Sequence, residues 1–108
     1  MISYSDIIKA LSFDYKRKHC IEIEFLITGN QKYGSCWMGK TSDESNIFWY
    51  GLMPDGSESY DYTDLVEFVS DPVFNGRTLE EIWDKVEVLS VDGCDPEERI
   101  AKYTENNL

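Results

Sequence analysis

Ile21-Glu22-Ile23-Glu24-Phe25-Leu26-Ile27 is the stretch whose period decides the fold. Ile21, Ile23, Phe25 and Ile27 fall on one side of an extended chain, with Glu22 and Glu24 on the other. That alternation reads as a half-buried β-strand. Gly29-Asn30 marks a turn, and Tyr33, Ser35 and Trp37 continue on a returning strand. A three-residue loop at 29–31 sets Tyr33 opposite Ile27 and Trp37 opposite Ile23; a two-residue loop turns both aromatics to the Glu face. The three-residue loop is favoured, because it gathers the apolar groups on one side.

Further strands follow. Thr41 to Asn46 is a polar connection, and Ile47-Phe48-Trp49-Tyr50-Gly51-Leu52-Met53 is apolar on both faces, the mark of a central, covered strand. Pro54-Asp55-Gly56-Ser57 has strong turn chemistry. The strand over residues 57–63 carries Tyr60 and Tyr62 on one face and Ser59 and Asp61 on the other, an edge-like, wet strand. Four short strands joined by turns predict an antiparallel meander.

On either side of the meander the period is helical. Ser3 or Ser5 can cap a helix over residues 5–13, with Ile7, Ile8 and Leu11 as its apolar stripe. Downstream, Asp64 with Glu67 and Thr78 with Glu81 are capping-box patterns. The first opens a helix that Asp71-Pro72 stops. The second opens one with Leu79, Ile82, Trp83 and Val86 on a single face. Val86 and Val88 begin a fifth strand that ends at Asp92-Gly93, and either edge of the meander is open to it. Asp95-Pro96-Glu97-Glu98 opens a C-terminal helix. The expected fold is one α+β domain over residues 1–108: N-terminal helix, antiparallel four-stranded meander, two helices, fifth strand and C-terminal helix. The helices pack on one sheet face, and Trp49 and Trp83 read as core.

Charge narrows the partners. The 108 residues carry a net charge of −11, and those after position 40 hold seventeen acidic residues against four basic ones. Such a field repels phosphate backbones and anionic lipid and attracts basic partners. A hydrophobic content of 42%, with 14% aromatics, is too apolar for a disordered acidic tail. No apolar run approaches the roughly 18 residues of a membrane span, and Met1 to Asp6 has no signal-peptide character. Cys20, Cys36 and Cys94 are odd in number with no Cys-x-x-Cys pair, which suits free thiols in a reducing cytoplasm and no metal site.

Candidate chemistry is thin. Gly34-Ser35-Cys36-Trp37 resembles the sequence around the nucleophile of papain-like cysteine proteases. The resemblance covers four residues and implies a Cys36 thiolate with a histidine partner. That family's histidine lies more than about a hundred residues downstream, whereas the one histidine here, His19, precedes the cysteine. Cys36 also falls in a predicted strand instead of opening a helix. Asp55, Glu58, Asp61 and Asp64 cluster around a turn but do not fit a Ca²⁺ loop. Lys16-Arg17-Lys18-His19 is too short a basic patch for nucleic acid. No phosphate-binding glycine loop occurs, so neither an enzyme nor a cofactor is expected.

The expected function is a small acidic intracellular protein-interaction module for a basic protein surface, of the inhibitor or immunity-protein type. Tyr60 and Tyr62 with Asp55, Glu58, Asp61 and Asp64 are its expected contact surface, since tyrosines beside acids make good contact residues. No nucleic acid or membrane is expected, and the chain is a monomer or a weak homodimer through its wet edge. The alternative is a small-ligand module with an aromatic-lined pocket between sheet and helices, including Trp37 and Tyr50.

Overall fold

The computed structural model describes residues 2–12, 20–42 and 46–104. Lys16, Arg17, Lys18 and His19 lie outside the described residues, as does the last residue of the expected first helix. In chain order the elements are α1 (Tyr4–Ser12), β1 (Ile21–Ile27), β2 (Cys36–Ser42), β3 (Asn46–Gly51), β4 (Ser59–Tyr62), α2 (Leu65–Ser70), α3 (Leu79–Ile82), β5 (Val86–Val91) and α4 (Pro96–Thr104). Short 3-10 turns at Gln31–Tyr33 and Trp83–Lys85 complete the order. The expected α+β architecture is therefore present: an antiparallel sheet with helices packed on it. Among the described residues no helix is long and apolar enough to cross a membrane.

The caps set the helix starts. Ser3 Oγ accepts the Asp6 amide at 3.0 Å, and Asp64 Oδ1 accepts the Val66 amide at 2.6 Å. Thr78 and Glu81 form the reciprocal capping box, and Asp95 accepts the Glu98 amide beside Pro96. Each side-chain oxygen satisfies an amide that has no partner within its helix. Asp71, extended before Pro72, ends α2.

The sheet order is β4-β3-β2-β1-β5, so the fifth strand joins the meander at the β1 edge. Ile23 faces Val91 and Phe25 faces Val88, with Leu89 as the extra residue of a bulge. The bulge lets Val88 and Val91, three apart, both turn to the helix side. There Ile7, Leu11, Phe68, Leu79, Ile100 and Tyr103 close over Ile21, Ile23, Phe25, Met38, Tyr50 and Val91, all 3% exposed or less. Burying such side chains is worth about 1.5–3 kcal/mol each.

Two expectations are corrected. In the β1–β2 pair Glu24 faces Trp37 and Phe25 faces Cys36, so Trp37 stands on the Glu face instead of opposite Ile23. Tyr33 leaves the strand in the 3-10 turn and buries its ring against Phe74. The apolar side is thus filled by Cys36 and Met38, which the favoured loop had turned outward. The second correction concerns β3, which is covered on one face only. Phe48 and Tyr50 are buried, whereas Trp49 is half-buried on the opposite side and is not core. Trp83 is likewise only half-buried; its indole N–H donates to the Ile2 carbonyl and its ring meets Tyr4 edge-on.

One carboxylate ties β1, β5 and α4 together. Asp92 Oδ1 accepts the Glu22 amide at 2.9 Å, while Oδ2 accepts Arg99 Nε at 2.9 Å and the Tyr103 hydroxyl at 2.7 Å. Asp92 and Gly93 both have positive φ and form a two-residue turn that Val91 and Cys94 close. Asp92→Ala therefore removes the acceptor that three donors share and puts a residue without a polar side chain in the left-handed region. Urea denaturation should show it costing about 2–4 kcal/mol, against about 1 for loss of the simple cap in Asp95→Ala. Equal losses would refute the special role of Asp92.

Candidate functional site

The sheet face that no described helix covers is built by a repeated spacing. Trp37-Met38-Gly39 lies on β2 and Trp49-Tyr50-Gly51 on β3. Antiparallel pairing sets Trp37 opposite Gly51 and Gly39 opposite Trp49. Each tryptophan consequently faces a residue without a side chain, and the two indoles are diagonal neighbours on one face.

The two pairs are not equivalent. A Cβ at Gly39 would sit 2.8 Å from the six-membered ring of Trp49 and 2.0 Å from the Ile21 carbonyl, so the Trp49 indole lies across Gly39. A Cβ at Gly51 would meet nothing within 4 Å. The space above Gly51 is a shallow hollow of about 530 Å³, lined by Trp37, Trp49, Met53, Pro54, Ser35 and Glu22. Trp37 is 37% exposed beside it.

Carboxylates surround the tryptophans. Glu22, Gly39, Trp49 and Asp61 form one row across four strands, and Glu24, Trp37 and Gly51 form the next. Glu22 and Asp61 are exposed, and among the described residues no cation stands against either. The Glu24 carboxylate accepts the Ser90 hydroxyl. Among the described residues this face therefore combines two large aromatics with exposed negative charge that no cation offsets.

The residues expected from sequence are spread around this site. Asp61 belongs to it, in the row of Trp49. Asp55 follows Pro54 in the adjoining turn, where its carboxylate accepts the Ser57 amide; hydrogen bonding from the Ser57 side chain, and then from that amide, holds it below the usual carboxylate range. Glu58 is paired with Lys32 at 2.9 Å, and Asp64 caps α2. Tyr60 and Tyr62 face the helices, and the Tyr62 hydroxyl donates to Asp71 at 2.5 Å. Trp37 and Tyr50 lie on opposite faces, Tyr50 at 1% exposure, so no pocket between sheet and helices is lined by both. Sequence reasoning missed the Trp37–Trp49 face. The available signal was the Trp-x-Gly spacing occurring on both strands.

Cys36 is not placed for nucleophilic chemistry. It is fully buried in the sheet, its Sγ lies 3.5 Å from the Leu52 carbonyl, and burial pushes the thiol up to about 11. Among the described residues no group of three or more metal-ligating side chains occurs. No family model, no curated protein and no solved structure matches this chain.

Three tests follow from the site geometry. Gly39→Ala should cost about 3 kcal/mol or more by steric strain, while Gly51→Ala should stay within about 0.5 kcal/mol of the parent in the same denaturation assay. In a thiol-reagent assay at pH 8, the exposed Cys20 and Cys94 should react quickly and Cys36 only after unfolding. The pH dependence has a defined sign. The folded-state pKa of Cys36 is raised from 9.0, so its contribution is complete below pH 9 and is lost as pH climbs towards about 11. Burial raises Tyr50 and Tyr62 as well, which extends the alkaline loss beyond pH 10. A Cys36→Ala variant should show a shallower fall between pH 9 and 11; an unchanged slope would contradict the assignment.

Proposed function

We propose that this chain is an acidic interaction module of the cell interior, whose helix-free sheet face binds a basic protein. The observation that carries the reading is the pair Trp37 and Trp49, standing on a face that no described helix covers, among the carboxylates of Glu22 and Asp61, which no cation of the described residues pairs. Aromatic residues at the centre of a contact supply most of its binding energy, and rim charges act on encounter rate. The net charge of −11 steers basic partners towards the molecule as a whole. An inhibitor of immunity type, covering the basic surface of an enzyme, is a form of module that fits this size and charge. Free thiols suit a reducing compartment.

The test uses three baits on lysate from the source cell: the parent, Trp37→Ala, and the double variant Glu22→Lys with Asp61→Lys. The parent should retain a basic protein that salt releases. Trp37→Ala should lose it by about thirtyfold in affinity at an unchanged melting temperature, the size of loss typical of a contact hot spot. The double variant should slow association. Retention of the same proteins by all three baits would overturn the proposal.

A further inference from the structure

We propose that the hollow over Gly51 is the socket for an arginine side chain of the basic partner, held between Trp37 and Trp49 against the Glu22 carboxylate. This assignment rests on the reading of the helix-free face as a binding surface. It adds which chemical group the face selects.

The hollow has the features that a guanidinium needs. Trp37 and Trp49 offer two indoles from adjacent strands, and the negative potential of an aromatic face attracts a cation. Gly51 forms a floor of bare backbone, and Met53 with Pro54 walls the side towards the next turn. A flat group can therefore approach the β3 backbone at Gly51 without meeting a side chain there. Glu22 lines the same space, and among the described residues no lysine or arginine does, so the charge that the described lining brings to it is negative. Ser35 supplies a further oxygen acceptor in the lining.

Shape and hydration favour arginine over lysine. The guanidinium is planar, stacks on aromatic faces, sheds water more readily than an ammonium, and can place two N–H groups on one carboxylate. A metal ion is disfavoured, because the lining holds a single carboxylate. The surrounding acidic surface directs the site to an arginine presented by a basic surface.

The experiment follows the indole N–H signals of ¹⁵N-labelled protein while a short acetylated peptide, Gly-Ser-Arg-Ser-Gly, is added. Matched peptides carry lysine or citrulline in place of arginine. Saturable shifts of the Trp37 and Trp49 indoles are expected with the arginine peptide, with Trp83 on the helix side as an unmoved internal control. Gly51→Leu fills the hollow from a position where a side chain meets nothing, and should abolish the shifts at an unchanged melting temperature. Glu22→Gln, an exposed change, should weaken them by about tenfold. Absent shifts, shifts that survive in Gly51→Leu, or equal shifts with the lysine or citrulline peptide would overturn the proposal. The two readings fail differently. A captured partner retained by Gly51→Leu but lost by Trp37→Ala removes the socket and leaves the face. Retention by both removes the face as well.

Discussion

The pairing of Phe25 with Cys36 governs which side chains the sheet turns to its helices and which it turns to water. Side chains alternate along a strand, so a shift of one residue would exchange the two faces of β2 entirely. In the observed register Cys36 and Met38 enter the core beside Phe25 and Ile23, and Trp37 stands outside beside Glu24. The 3-10 turn at Gln31–Tyr33 makes this register affordable in apolar area, because it carries Tyr33 out of the strand and under Phe74. With β2 set, the β2–β3 pairing sends Tyr50 inward, where it stacks on Phe68 with centroids 4.1 Å apart, and Trp49 outward across Gly39. The binding face is thus a by-product of the packing that closes the core.

The acidic excess of the sequence is much less available than its count implies. Asp6, Asp55, Asp64, Asp95 and Glu81 each accept a backbone amide within a few residues. Asp71 holds Tyr62, Asp92 holds three donors, and Glu58 pairs with Lys32. These carboxylates organise turns and helix starts, work that their position beside amides suits. Among the described residues Glu22 and Asp61 have no such local partner, and they lie on the face where Trp37 is exposed. Local charge, after the structural uses are subtracted, identifies the surface better than net charge does.

Features set by neighbours in sequence were legible without a structure. Capping residues at Asp64, Thr78 and Asp95, the stop at Asp71-Pro72 and the alternation of Ile21–Ile27 all act over a few residues, and the boundaries they mark are observed, although the helix from Thr78 ends at Ile82 and Val86, expected on its face, begins β5. The β1–β2 register was not legible, because it depends on where Tyr33 finds room beneath a residue some forty positions later. Strand β3 misled for a related reason. A run apolar on both faces describes a strand covered twice, but Trp49 gains its cover from Gly39 of the neighbouring strand and needs no helix above it. The candidate contact surface was drawn around β4 because tyrosines and acids adjoin there in sequence; alternation then parts Asp61 from Tyr60 and Tyr62. The place of β5 at the β1 edge depends on contacts between residues about seventy positions apart, beyond the reach of any local pattern.

That placement of β5 bears on how the chain is made. Synthesis from the N-terminus completes β1 to β4 while the strand that covers the far edge of β1 has yet to leave the ribosome. Until residue 91 emerges, β1 presents an unpaired backbone edge flanked by Ile23 and Phe25. Exposed edges of this kind recruit other chains. The turn at Asp92-Gly93 emerges after β5 and locks the edge through the Glu22 amide. A nascent or truncated chain lacking residues 86–104 is accordingly the form of this protein most in need of a chaperone.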